Sequence, residues 1–266
     1  MDYGTARPEQ VRSAARKKEL TGYTSGMAKG FVQANLTILP SKQAYDFLLF
    51  CVRNPKPCPL IEVGLKGDYL TKFIADGADI RTDIPKYRIY KEGRFVEEPL
   101  DLMDVWDDDF VFFLMGCSFS FESRLLAKGI PVRHIEKNSN APVYITNIQC
   151  RPSGAFHGPL AVSMRPIPSS MVASAVEITA ALPAVHGSPI HVGAPEALGI
   201  KDIMKPDFGE PPTILPGEVP VFWACGVTPQ VAALFAKPPL IITHSPGHMF
   251  VGDIPDSKIQ DFIYGI

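Results

Sequence analysis

Two kinds of apolar spacing run along this chain of 266 residues: short stretches with a helical period, and unbroken apolar runs of strand length. Residues 8–20 set a proline ahead of good helix formers and predict a first helix, ended by Gly22. Gly22, Gly26 and Gly30 then fall four apart as far as Ala34. They either put small residues on one face of a helix or form a glycine-rich loop. Ser41 starts a second helix with its body at 44–52. The segment Asn54-Pro-Lys-Pro-Cys-Pro59 is a rigid extended connector, because proline removes donors and fixes φ. A short strand at 60–63 follows it. Residues 87–96 read as a hairpin turning at Glu92-Gly93, 107–109 as a solvated acidic loop, and 170–181 as a helix closed by Pro183. Arg151-Pro-Ser-Gly, Ser163-Met-Arg-Pro166 and His186-Gly-Ser-Pro-Ile-His191 read as turn-rich loops of the kind that carry binding groups.

One pattern occurs twice, 108 positions apart. Val111-Phe-Phe-Leu-Met-Gly-Cys117-Ser-Phe-Ser120-Phe-Glu122 is echoed by Val219-Pro-Val-Phe-Trp-Ala-Cys225-Gly-Val-Thr228-Pro-Gln230. Each copy predicts a buried strand, a tight turn carrying a cysteine, and a helix. Ser120 and Thr228 are placed to cap those helices, and Pro229 fits the first helical position. Further strands are expected at 130–134 and 240–244, then at 143–148 and 249–254. The ordered series predicts a mixed α/β fold with an internally duplicated strand–turn–helix–strand core. The repeats span about 111–148 and 219–254 within a core of 105–266. An N-terminal α/β region of helix and hairpin covers 1–104, and the whole of 1–266 reads as a single domain.

Charge narrows the choice of partner. The 26 basic and 28 acidic residues give a net charge of −2 without a basic run, so no nucleic-acid partner is expected. The first 19 residues lack the apolar core of a signal peptide, and no apolar run approaches the ~18 residues of a membrane span. A cytoplasmic protein without membrane contact is expected. Five cysteines without a CxxC pair point to free thiols. A homo-oligomer is the default expectation.

The candidate chemistry gathers at the repeated turns. Cys117 and Cys225 stand just before the predicted helix starts, where free N–H groups receive anions and thiol pKa values tend to fall. Each sulfur is either a nucleophile or a small buried group that fits the turn. Glu122 and Gln230 hold matching first-turn positions, as an acid/base and its non-ionising counterpart or as two caps. Arg81, Asp83 and Arg165 are flanked by turn residues and suit either carboxylate binding or a loop ion pair. His186 with His191, and His244 with His248, are acid–base or structural histidines. The alternative is that they ligate a divalent metal acting as a Lewis acid, although neither spacing matches a recognised zinc pattern. No other cofactor is indicated. The candidate catalytic set is therefore Cys117, Glu122, His186, Cys225, His244 and His248. Arg81, Asp83, Ser120, Arg165, Thr228 and Gln230 are the candidate substrate-binding residues.

Arg81-Thr-Asp83-Ile-Pro, Gly116-Cys-Ser-Phe-Ser-Phe-Glu122, Val162-Ser-Met-Arg-Pro166, His186-Gly-Ser-Pro-Ile-His191, Val219 to Gln230 and Thr243-His-Ser-Pro-Gly-His248 together resemble the D-glutamate cyclase family. The resemblance runs from about residue 7 to residue 254. It implies a hydro-lyase acting on a small amino or hydroxy dicarboxylic acid, with cyclisation of D-glutamate to 5-oxo-D-proline as the family's named reaction. Two alternatives remain: a non-catalytic carboxylate-binding or regulatory subunit, and an amidohydrolase that opens 5-oxoproline.

Overall fold

The computed structural model describes residues 2–264. Helix α1 (Pro8–Arg16) begins at its proline, and left-handed Lys18 (φ 61°) ends it earlier than the sequence predicts. The small-residue helix does not form. Gly26 and Gly30 take φ values of 76° and 88°, which break a helix, and the chain then runs as strand β1 (Phe31–Pro40). Helix α2 (Ser41–Arg53) and strand β2 (Leu60–Val63) follow as expected. Strands β3 (Tyr87–Lys91) and β4 (Arg94–Glu97) form the hairpin, with Glu92 and Gly93 both at positive φ as a tight two-residue turn requires.

The first cysteine turn joins β5 (Phe110–Gly116) to α3 (Phe119–Ala127), and a short helix α4 (Arg133–Glu136) comes next. After β6 (Val143–Gln149), the segment read as a turn-rich loop is instead a long buried strand, β7 (Pro159–Pro168). Helix α5 (Val172–Ala180) and the two-residue strand β8 (His191–Val192) lead to β9 (Glu218–Ala224). The second cysteine turn then enters α6 (Val227–Ala236). Strands β10 (Ile241–His244) and β11 (Phe250–Pro255) and helix α7 (Ile259–Tyr264) complete the chain.

The fold is mixed α/β with two sheets. The larger runs β2-β5-β1-β10-β3-β4, with β11 also on β1, and the smaller runs β6-β7-β9-β8. The two central antiparallel strand pairs, β1 with β5 and β7 with β9, are in one register. Ala34 of β1 faces Gly116, the residue before Cys117, and Val162 of β7 faces Ala224, the residue before Cys225. The strands that follow the corners change places. β6, which follows the first corner, pairs with β7 in the smaller sheet, whereas β11, which follows the second, returns to β1.

That register also explains why 130–134 is not a strand while β10 is. β10 lies along Thr37 and Ile38 of β1, and the corresponding positions of β7 are Arg165 and Pro166. Pro166 faces Pro220 on the β9 side, so its backbone points the other way, toward the place a tenth-strand counterpart would fill. There it has no N–H to give.

Helices α3 and α6 join the sheets. Phe121 and Leu125 of α3 share one core with Val32, Ala34, Leu36 and Ile38 of β1 and with Val221 and Trp223 of β9. Ala232 and Ala233 of α6 pack with Leu39 of β1 and with Phe47 and Phe50 of α2, while Val231 meets Val143 and Ala161 of the smaller sheet. Both cysteine corners are thereby brought inward.

Candidate functional site

Each corner is fixed by a backbone contact and a hydroxyl. The Cys117 N–H donates to Gln33 O at 3.0 Å, and the Cys225 N–H donates to Ala161 O at 3.0 Å. Ser120 Oγ accepts the Gln33 N–H at 2.9 Å and donates back to Gln33 O at 3.2 Å. Thr228 Oγ1 does the same with Ala161, at 3.0 and 3.2 Å. Neither hydroxyl caps its helix. Both instead bind the helix to the neighbouring strand, and both are buried. Glycine is required beside each cysteine. A Cβ on Gly116 would stand 2.0 Å from Ala184 O, and one on Gly226 would stand 2.0 Å from the Asn35 amide.

Cys117 and Cys225 line one cavity, with Asn35, Ser118, Asn140, Ser163, His244 and Pro246 also in its wall. Its volume of about 30 Å³ holds little more than water. A wider polar vestibule of about 480 Å³ adjoins it through Asn140, Phe208 and Pro246, and carries Lys86, Arg88, Ser245 and His248.

Arg165 lies directly behind the cavity wall and is 0 % exposed. Its guanidinium is held between the rings of Phe121 and Trp223, 5.0 and 5.5 Å from their centres. It donates twice to Glu122 Oε1, and once each to Ser118 Oγ at 3.0 Å and Ser163 Oγ at 3.2 Å. His134 Nε2 lies 2.9 Å from the same Glu122 oxygen. Burial pushes the Glu122 carboxyl up, but His134 and Arg165 outweigh it and hold the group down at about 2. At neutral pH Glu122 is therefore an anion, held against Arg165 and His134.

The thiols depart from the sequence expectation. Burial raises Cys117 well above the ordinary range and Cys225 to about 11, against the opposing pull of a backbone N–H and Arg165 on each. Water exclusion outweighs the helix start, and both remain protonated at neutral pH. His244 Nδ1 accepts the Leu36 N–H at 3.1 Å, and the Gln230 amide lies 3.3 Å from the same nitrogen. Burial lowers His244 to about 4 and keeps it neutral. His248, also lowered by burial, contacts the carbonyls of Pro246 and Thr21 and meets the Tyr23 ring edge-on in the vestibule.

Other candidates stand elsewhere. Arg81 is paired with Asp79 and lies over the Tyr69 ring at 3.5 Å. Asp83 is buried and accepts two N–H groups of Arg16. Both hold the N-terminal region together and neither lines the cavity. His186 faces a different pocket, and His191 binds Ala194 O. Among the described residues, no three His, Cys, Asp or Glu side chains gather as a metal-holding set, and no helix is long and apolar enough to cross a membrane.

Sequence reading did not pick out Asn35, Ser118, Asn140, Ser163, Lys86, Arg88 or His134 for the site. One signal was available for two of them. Ser163 and Arg165 are two apart, so they share a face once β7 is a strand, and Ser118 directly follows the cysteine.

The sequence profile of the D-glutamate cyclase family matches residues 111–253, from β5 into β11. A Bacillus licheniformis protein named "Putative hydro-lyase" is 57% identical over 97% of this chain and 98% of its own length. Proteins of the same name from Thermoanaerobacter sp. strain X514 and Staphylococcus haemolyticus are each 56% identical. They cover 97% and 98% of this chain, and 98% and 100% of their own lengths. Both cysteine corners and Arg165 lie inside the matched region, and with these identities over nearly the whole length this chain belongs to the D-glutamate cyclase family.

Proposed function

We propose that this protein is a hydro-lyase that removes water from a small amino or hydroxy dicarboxylic acid held between the two cysteine corners. The observation that carries this reading is the pair of serines in the cavity wall. The oxygens of Ser118 and Ser163 each accept an N–H from the buried Arg165, so each hydroxyl is free to turn its own proton into the cavity. Two such protons with a cation behind them make a preorganised site for a carboxylate or a developing oxyanion. The names of the family and of the relatives support the same class of reaction.

For D-glutamate the step would join the amine nitrogen to the γ-carboxyl carbon and break one carbon–oxygen bond. The two protons given up by the ammonium group leave on that oxygen as water, and 5-oxo-D-proline remains. Ser118 and Ser163 would hold the oxyanion, and the Nε2–H of neutral His244, whose Nδ1 already accepts the Leu36 N–H, would donate a hydrogen bond to the substrate while the amine protons pass to the departing oxygen. Cys117 and Cys225, kept as thiols, would donate hydrogen bonds to the departing oxygen rather than attack as nucleophiles. Lys86 and Arg88, which share Glu98 in the vestibule wall, would exchange that partner for a carboxylate of the substrate, and displacement of the Asn140–Pro246 partition would admit it to the cavity. We also read the corners as copies of one unit, supported by their shared register and matching hydroxyl contacts.

The test is incubation with D- and L-glutamate and with hydroxy dicarboxylic acids of similar length, following loss of water by mass alongside thermal shift. Turnover of at least one acid is expected. Ser118→Ala or Ser163→Ala should lower it by about a hundredfold while the thermal midpoint is kept. Binding without turnover would make the protein a carboxylate-binding subunit, and ring opening of 5-oxoproline alone would make it an amidohydrolase.

A further inference from the structure

The largest cavity among the described pockets lies behind the first corner rather than between the two, and measures about 550 Å³. This is within the usual range for small-molecule sites. Its walls are mainly apolar, from Val52, Pro55, Leu60, Ala180, Pro183 and Ile263, while Lys56, His186 and Ser188 bring polar groups to it. Lys56 Nζ donates to Ser188 Oγ at 3.2 Å. Burial lowers the lysine pKa, and among the described residues no acidic neighbour opposes that shift. A half-buried ammonium without a counter-ion is costly unless something supplies the missing charge.

The surroundings hold this lysine in place. Three prolines stiffen its connector, and the Asn54 side chain donates to both Phe50 O and Arg151 O at 2.8 Å. His186 takes a left-handed φ of 83°, costly for a residue with a Cβ, and its Nδ1 meets Lys56 O at 2.9 Å. Backbone strain of this kind tends to collect at ligand clamps.

We propose that this pocket is a second ligand site, separate from the cysteine cavity, and that it takes a small monocarboxylic acid with an apolar body. The carboxylate would sit on Lys56 and Ser188, and the hydrocarbon would lie along Pro55, Leu60 and Pro183. One ammonium and one hydroxyl match the two oxygens of a carboxylate, whereas a phosphate would call for more donors.

Calorimetric titration of the whole chain with 4-methylpentanoate, and with 4-methylpentan-1-ol as its uncharged counterpart, tests the assignment. Saturable one-to-one binding of the acid is expected, at least about tenfold tighter than the alcohol, with about tenfold weakening in Lys56→Met and a smaller loss in Ser188→Ala. Cys117→Ser should leave the affinity within about twofold, since that residue faces the other cavity. Failure of the acid to bind, equal binding of the alcohol, unchanged affinity in Lys56→Met, or loss of binding in Cys117→Ser would each overturn the proposal. Should Lys56→Met not fold, NMR of the ¹³C-methylated wild type replaces it. The Lys56 signal must then move along the acid's saturation curve, and a stationary signal would overturn the site.

Discussion

At the Cys117 corner the first-turn residue is Glu122, a carboxylate gripped by Arg165 with His134 2.9 Å away. At the Cys225 corner the matching place holds Gln230, whose amide meets His244, and no arginine is hydrogen-bonded to it. The backbone contacts of the two corners agree to within a few tenths of an ångström. The two corners share their geometry, and only one of them carries a buried charge pair. One corner places a buried ion pair behind two serines, and the other holds a neutral imidazole.

The severest way to break the contrast is Glu122→Gln, which gives the first corner the second's chemistry. Arg165 would then be buried without a counter-charge. We expect a loss of about 3–5 kcal/mol in urea unfolding together with loss of turnover; a stable, active variant would show that the ion pair does not organise the cavity.

Acid should expose the neutral imidazoles next. His244 and His186 titrate at about 4 when folded because burial disfavours their charge, against about 6.5 in the unfolded chain. Between those values the unfolded state binds more protons, so stability is complete above pH 6.5 and falls as the pH drops toward 4. The loss is on the order of 3 kcal/mol for each histidine. Glu122, held at about 2, adds a further loss only below its ordinary value near 4.5. Urea midpoints at pH 7.5 and 4.5 check this, and a flat profile would contradict neutral burial.

The reciprocal change, Gln230→Glu, places an unpaired carboxylate beside His244. A cost of about 2 kcal/mol at pH 7 is expected, with the His244 pKa raised from its present low value. Imidazole NMR titration reads that shift, and an unmoved His244 would mean that the two groups are not coupled.

The smallest effects test the shared backbone. Ser120→Ala and Thr228→Val each strand one buried N–H, at Gln33 and at Ala161, and should each cost about 1–2 kcal/mol. Closely similar values would support equivalence of the corners, and a large difference would argue against it.

Pattern alone revealed the parts of this protein whose local sequence agrees with their role. The apolar runs of β5 and β9, the helix after Ser41 and the Glu92-Gly93 hairpin were all legible. The two central strands were not. β1 carries Gln33, Asn35 and Thr37 and shows no strand pattern after its glycine-spaced start, and β7 carries Ser163, Arg165 and Pro166 and reads as a turn-rich loop, although both strands are buried. Polar groups stand in these strands because the cavity and the corner contacts need them there, and an apolar-pattern reading counts them against a strand. The pairing of Arg165 with Glu122 spans 43 positions and leaves no local trace. The same is true of the thiols' shift upward, which depends on how completely the two sheets exclude water.

The exchange of β6 and β11 has a consequence for how the molecule could be divided. A cut in the turn at 150–158 would leave one fragment whose β1 lacks β10 and β11, and another whose β7 lacks β6. Each piece would expose an open sheet edge and only half of the binding hollow. The pocket belongs to neither half of the polypeptide, and it comes into being only when the two embrace.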